Sequence, residues 1–560
     1  MATAGSRSRG RIYPHQRDAN MTGTILGDSI ELDNQYVQTM NVTASHGLVP
    51  STKRGHRNRI QHVYKAWAVL FPAYYLIGVR DLSAEELNDP ANFFHKNKKE
   101  LVYEGLNVKF LLAFLATKKK KTNGQMNGYE NIRKYWDAIQ YGAKEANIFL
   151  PVTFYQAKEN FLGAYKKEVA AAKGKGEVDE QEADPIPMSL FALMCRWAVG
   201  EGNIFVWAWS ILQWNLMGRS VNVEPLNLRN IKVYEDHIQF LYTTNKCDKA
   251  GEKVTTKNVY ANPMNPFICS FLSLAIYVSI NAERFKVSEY LFRKTTAEED
   301  KLASGGYCSQ LKEMFNRHGQ EVSNHIRLPH ANAHGLRKGG STYATSGTTA
   351  PPSITAVARR GEWSMGKVLD VYWQCSEIGD HYLGRVLAGL NSLSPSFDIM
   401  PPHFKCEDPL SDPHIREAMQ MMYGPILKTW KGTQQDPEFL LLRLLASVVY
   451  HMEWIKSIAR TSSTHPFNSI PLMFASPELV VALSSLVTTK PSFHMREASG
   501  IPPHVEQGIK LQNLLETCSE CLILLKDQVV HIKQVSVLYI NYNMHHYFIV
   551  SNIIYFYINY

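Results

Sequence analysis

The sequence is poor in the features that mark secreted, membrane-embedded and metal-stapled proteins. Its eight cysteines are scattered over 560 residues, a usage that reads as reduced, intracellular thiols rather than a disulfide framework. Cys518-Ser-Glu-Cys521 is the one Cys-x-x-Cys. A structural zinc site needs a second ligand pair, and none lies nearby, so no metal is expected. Met1 to Asn20 is polar and Arg-rich and lacks the apolar run of a secretory signal. No segment before residue 535 has the length of apolar sequence a bilayer span needs. Val535 to Tyr560 carries no formal charge, but Asn541, Asn543, His545, His546, Asn552 and Asn559 interrupt it. That stretch, 535–560, reads as an atypical tail without function, and no membrane is expected among the partners. There is no internal repeat.

What is present is an ordinary globular composition, 45% hydrophobic and 20% charged, with a net charge of +9. The basic balance permits an anionic partner without requiring one. Residues 1–55 are rich in Arg, Ser, Thr, Gly and Asn without periodicity, and no fixed structure is expected there. Over 56–172, apolar residues recur at three- and four-residue spacing in Val63 to Leu70, Leu101 to Leu115 and Tyr129 to Ala146, predicting a helical domain. Lys118, Lys119, Lys120, Lys121, Lys134, Lys166 and Lys167 fall in this domain, interleaved with Tyr135, Trp136, Tyr155 and Tyr165. Each lysine alone reads as a solvated surface residue. Together they would suit a helical domain laid along a DNA backbone, where neutralised phosphates release counterions. The Lys118–Lys121 run also has the character of a nuclear-import signal, and the expected location is the nucleus.

The polar, Pro-bounded stretch 173–187 reads as a linker. Beyond it the pattern turns helical at Leu190 to Ala198 and is apolar on most faces from Ile204 to Met217, which predicts a buried helix. Residues 231–260 alternate in the manner of strands, with a turn at Asn245 to Gly251, and predict a small antiparallel sheet. Helical patterns return at Pro266 to Asn281, Ser309 to His318 and after Pro352. The segment 395–440 is Pro-rich and reads as looped. Residues 438–460 and 504–533 read as helical. The expected organisation is a catalytic domain at 188–395 and a helical region of unknown role at 396–534, mainly α with a small antiparallel β-sheet.

One ordered set of residues carries chemistry. Metal-independent transfer of a phosphodiester needs a nucleophile, cations to stabilise the phosphorane, an acid for the leaving oxygen and a base. Arginine suits the clamp because its planar fork binds two phosphate oxygens and stays charged. A tyrosine nucleophile conserves the bond energy in a phosphotyrosyl link. The chain offers Gly218-Arg219, then His334-Gly-Leu-Arg337, then Trp363 and, nine positions later, Tyr372. On a helix, His334 and Arg337 share a face and can reach one phosphate. A metal reading of His325, His330 and His334 fails because Pro329 breaks the segment and no acidic residue lies in it.

In these residues the sequence resembles the tyrosine recombinases, the phage-integrase class of DNA breaking and rejoining enzymes, over roughly 187–395. The layout resembles that of recombinases of eukaryotic Crypton-type mobile elements, and 56–172 resembles the family's core-binding domain in position and charge. The resemblance implies that Tyr372 is the nucleophile, Arg219 and Arg337 the clamp, His334 an acid/base and Trp363 a donor that packs the nucleophile segment. Lys246 would be the general acid, with Lys249 as the alternate. It implies double-stranded DNA as substrate, a homotetramer on paired sites, and no cofactor. Tyr382 lies 19 residues after Trp363 and does not fit the spacing. The acid that the family carries three positions after the first arginine is Asn222 here. Two alternatives are a domesticated DNA-binding protein that has lost catalysis and a type IB topoisomerase. The second would need a linker helix before the tyrosine, for which 363–372 leaves no room.

Overall fold

A computed structural model describes residues 50–70, 79–81, 99–101, 103, 108–119, 125–178, 183–242, 255–286, 288, 290–292, 303–366, 377–430, 437–490 and 500–559. The protein is mainly helical with small antiparallel sheets. It divides into two compact units, residues 1–180 and 181–560.

The first unit contains α1 (Pro50–Leu70), an antiparallel pair of strands β1 (Val79–Asp81) and β2 (Lys99–Leu101), and then α2 (Val108–Lys118), α3 (Tyr129–Glu145) and α4 (Val152–Gly174). Its core gathers Ile60, Val63, Leu111, Phe114, Trp136, Ile139, Phe154 and Tyr165. Two expectations are corrected. Pro50 to Gly55, read as part of an unstructured N-terminus, open α1, because proline is at home in the first turn of a helix. Leu101, read as helical, ends β2, and the helix begins at Val108.

The second unit begins with α5 (Met188–Gly200), α6 (Ile204–Asn215) and the single turn α7 (Ser220–Val223). A three-stranded antiparallel sheet follows, β3 (Ile231–Val233), β4 (Ile238–Tyr242) and β5 (Thr255–Val259), with β4 central. Its register pairs Phe240 with Lys257 and Ile238 with Val259. Then come α8 (Ser270–Ile280), α9 (Ala303–Arg317), α10 (Gly319–Ser323), α11 (Ala333–Ser346), α12 (Ile354–Arg360) and α13 (Glu377–Leu387). The strand β6 (His403–Phe404), helices α14 (Pro413–Trp430), α15 (Glu438–Tyr450), α16 (Met452–Ala459) and α17 (Pro477–Leu486), the strand β7 (Val487–Thr488) and the long helix α18 (Pro503–Asn559) complete it.

The helix α6 is buried along its whole length, Ile204 to Asn215 apart from the partly exposed Phe205. Neighbours on every side explain why its sequence has no polar stripe: α5, α8, α9 and α11 all pack against it. The same hydrophobic core takes in Ile415, Met419 and Met422 of α14 and Leu441, Leu444 and Leu445 of α15. The boundary drawn from the sequence at 395/396 therefore crosses a continuous core. The Pro-rich stretch read as looped contains α14, with Pro413 as its first residue and Pro425 within it.

Two further differences concern the edges of this unit. Residues 183–187, read as linker, are anchored: Ile186 donates its backbone N–H to Gly335 O at 3.0 Å, and Asp184 pairs with Arg327 at 2.7 Å. The helix α18 continues through the uncharged segment that was expected to be a separate tail. Its start is fixed by buried Val505 and by His504 bonded to Ser392 O at 2.7 Å, while its later apolar side chains are exposed. Among the described residues no helix is long and apolar enough to cross a membrane.

Candidate functional site

The last carbonyls of a helix lack intrahelical donors, and at α6 three buried cations supply them. Arg360 donates to Asn215 O at 3.0 Å, Lys257 to Leu216 O at 3.2 Å, and Arg337 to Met217 O at 2.8 Å. Positive charge also suits the negative end of the helix dipole. The chain then turns sharply. Gly218 N–H reaches back to Gln213 O, Met217 N–H to Trp214 O, and Met217 takes φ 46°. This is a Schellman closure with methionine where glycine is usual.

The end of α12 repeats the device. Trp363 N–H bonds to Ala358 O, Glu362 N–H to Arg359 O, and Glu362 takes φ 54°. A left-handed non-glycine residue costs about 1 kcal/mol or more, so surrounding contacts must hold both turns. Arg337 is one of them: besides Met217 O it donates to Gly361 O. One guanidinium thus ties together the two helix ends that present Arg219 and Trp363.

Glu362 sits at the centre. Its side chain is 3% exposed and accepts from Lys257 Nζ at 2.9 Å. Asn222 Nδ2 donates to it at 3.3 Å, and Arg219 Nη1 lies 3.9 Å away. Lys257 is 1% exposed, and its ammonium also lies over the Tyr242 ring. Burial pushes the Lys257 ammonium down to about 8; Glu362 opposes that fall, and the nearby Arg360 and Arg337 add to it. Arg219, Lys257 and Arg337 outnumber the single Glu362 carboxylate, so the cluster favours an anion at its exposed side.

The elements are held close by absent side chains. A Cβ on Gly339 would overlap the Ile186 carbonyl, and one on Gly335 would lie 2.7 Å from Asp184 O. Gly335 within His-x-x-Arg and Gly339 after it therefore let residues 184–186 cross α11. In the same way Gly384 lets α13 meet β5 at Asn258 O. Arg360, fully buried, pins α12 to α13 through Asp380 at 2.8 Å and to β5 through Asn258 O.

The residues expected from the sequence are placed as follows. Arg219, the residue preceding α7, is partly exposed, and its Nη1 is buried without a hydrogen-bond partner. Arg337 is 2% exposed. His334 lies one turn before it, exposed, at the start of α11, where Asn332 accepts the His334 backbone N–H. Trp363 is 41% exposed with the Arg337 guanidinium 5.6 Å from its ring centroid. Tyr372, Lys246 and Lys249 lie outside the described residues, as do Lys120 and Lys121. Tyr382 donates its hydroxyl to Ala350 O at 2.6 Å, which gives that rival tyrosine a packing role. Among the described residues no three His, Cys, Asp or Glu side chains could hold a metal ion.

In the first unit Lys134, Lys166 and Lys167 are exposed. Lys119 is partly exposed, pairs with Glu168 at 2.7 Å and lies over Phe161 and Tyr165. Lys118 is half-buried over Phe114. A further polar face with two cations, passed over in the sequence, lies on α1. Arg54, Asn58, His62 and Lys65 are exposed there, opposite buried Ile60 and Val63.

Sequence reasoning also missed Lys257 and Glu362. Lys257 had a signal, because alternation along Thr255–Val259 puts it on the same face as apolar Val259. Glu362 had none beyond adjacency to Trp363. Compared with known proteins, the sequence matches no family model and no curated protein.

Proposed function

We propose that this protein is a tyrosine recombinase that breaks and rejoins double-stranded DNA. The observation that carries the reading is the convergence of Arg219, Arg337 and Trp363, from distant parts of the sequence, on two helix ends tied by one guanidinium. An excess of buried and half-buried cations beside exposed His334 and Trp363 suits a scissile phosphate.

In the proposed reaction the Tyr372 phenolate oxygen attacks phosphorus and the bond from phosphorus to the 5′-oxygen breaks. The phenol proton passes to a base, for which exposed His334 is the candidate. Lys246 gives a proton to the leaving 5′-oxygen. The product is a 3′-phosphotyrosyl link and a free 5′-hydroxyl. A 5′-hydroxyl from a second strand then attacks the link and restores tyrosine. Arg219 and Arg337 stabilise the charge on the non-bridging oxygens. The first unit would grip the duplex through the exposed face of α1 and through Lys134, Lys166 and Lys167. A homotetramer on paired sites follows from the same reading.

The burial of Arg337, with two of its N–H groups on backbone carbonyls, favours a second reading in which DNA binding persists without cleavage. One experiment separates the two. Duplexes selected from a random pool by binding to the full-length protein are nicked near the bound site and incubated with it. A covalent protein–DNA adduct on a denaturing gel supports recombination. A gel shift without any adduct supports binding alone.

A further inference from the structure

We propose that Glu362 is the positioning carboxylate of this site, setting Arg219 and Lys257 through a buried bridge that Asn222 shares. The inference rests on the phosphodiester-transfer reading. Position 222, where the resemblance implies an acid, holds an amide. The structure brings a carboxylate to the same point from 140 residues further along the chain.

Three observations converge. Glu362 is 3% exposed, and its oxygens are divided, Oε1 toward Lys257 and Oε2 toward Asn222 and Arg219. It occupies a left-handed backbone position that only fixed surroundings maintain. The same turn presents the Gly361 carbonyl to Arg337 and the Trp363 ring beneath its guanidinium. Each of the two candidate clamp arginines therefore meets the 361–363 turn, and Lys257 ties that turn to the end of α6. Glu362 would not touch DNA. It orients Arg219, which would, and a misplacement of about 1 Å in such a group costs about 100-fold in rate.

The test uses full-length protein, selected nicked duplexes and three variants: Glu362→Gln, Asn222→Asp, and the double variant. Glu362→Gln is expected to slow adduct formation about 100-fold while DNA affinity by gel shift changes less than about threefold, since the phosphate-gripping unit is untouched. Moving the carboxylate to 222 in the double variant is expected to recover at least about tenfold of the loss, which a merely structural role would not produce. Should Glu362→Gln fail to fold, the double variant, which keeps one carboxylate, carries the test against Asn222→Asp. The proposal is overturned by a folded Glu362→Gln that reacts at the wild-type rate, or by a folded double variant no faster than Glu362→Gln. Absence of any wild-type adduct defeats the recombinase reading instead. The role of Glu362 is then read without DNA, as faster modification of Arg219 by phenylglyoxal in Glu362→Gln, and an unchanged rate there overturns it.

Discussion

Lys257 and Glu362 form an ion pair 2.9 Å long between side chains that are 1% and 3% exposed. Removing one partner of such a pair leaves a bare buried charge and costs about 3–5 kcal/mol, while replacing both with apolar groups costs far less. Lys257→Met and Glu362→Leu should each lower the free energy of unfolding by about that amount. The double variant should lose less than the sum. Denaturant titration of the four proteins measures the coupling.

The same pair makes stability pH-dependent in an unusual direction. A lysine whose ammonium falls from 10.5 to about 8 on folding binds fewer protons in the native state. Its contribution to stability therefore rises as pH increases from about 8 toward 10.5, where the unfolded chain still holds the proton. The difference in unfolding free energy between wild type and Lys257→Met should grow across that window. Thermal or denaturant unfolding at intervals of pH checks it, and a difference that shrinks would count against the burial of Lys257.

Acid should act elsewhere. Asp236 bonds to His237 and Arg385, each at 2.7 Å. Burial pushes its carboxyl up, but these partners outweigh it and hold it at about 2, against an ordinary 3.8. The stabilisation is present above about 3.8 and is lost as pH falls toward 2. Asp236→Asn should be less stable than wild type at neutral pH, and the gap should narrow below pH 3.8.

A glycine provides a test of the architecture around Arg337. Gly339→Ala drives a Cβ into the Ile186 carbonyl and the Trp214 ring, and should cost about 1–3 kcal/mol or more. Gly305, on α9 with open space around its Cβ, should accept alanine with a small gain in stability. Circular-dichroism melts of both variants compare the two sites.

Much of this was legible in the sequence. The wholly apolar run of α6 and the alternation that builds β3 to β5 follow from local periodicity, while the helix carrying His334 and Arg337 was expected only from the resemblance. The polar α1 face was hidden because its start blended into a composition without periodicity. The pairing of Lys119 with Glu168, a helix away, was not legible either, because only the fold brings the two together. The Pro-rich segment misled because Pro413 stands at a helix start, where it breaks nothing, and Pro425 is accommodated inside the same helix. The two turns of the site escaped notice because Met217 and Glu362 stand where glycine is the usual signal. Glu362 could not be matched to Asn222 from local pattern, since only the tertiary fold joins them.

The central claim is that Tyr372 becomes covalently linked to DNA. The direct measurement is mass spectrometry of the protein after reaction with a selected, nicked duplex and digestion of both polymers. The account predicts a nucleotide remnant on Tyr372, and no adduct from Tyr372→Phe. A remnant on Tyr382 or any other residue, or an adduct that survives Tyr372→Phe, would contradict it.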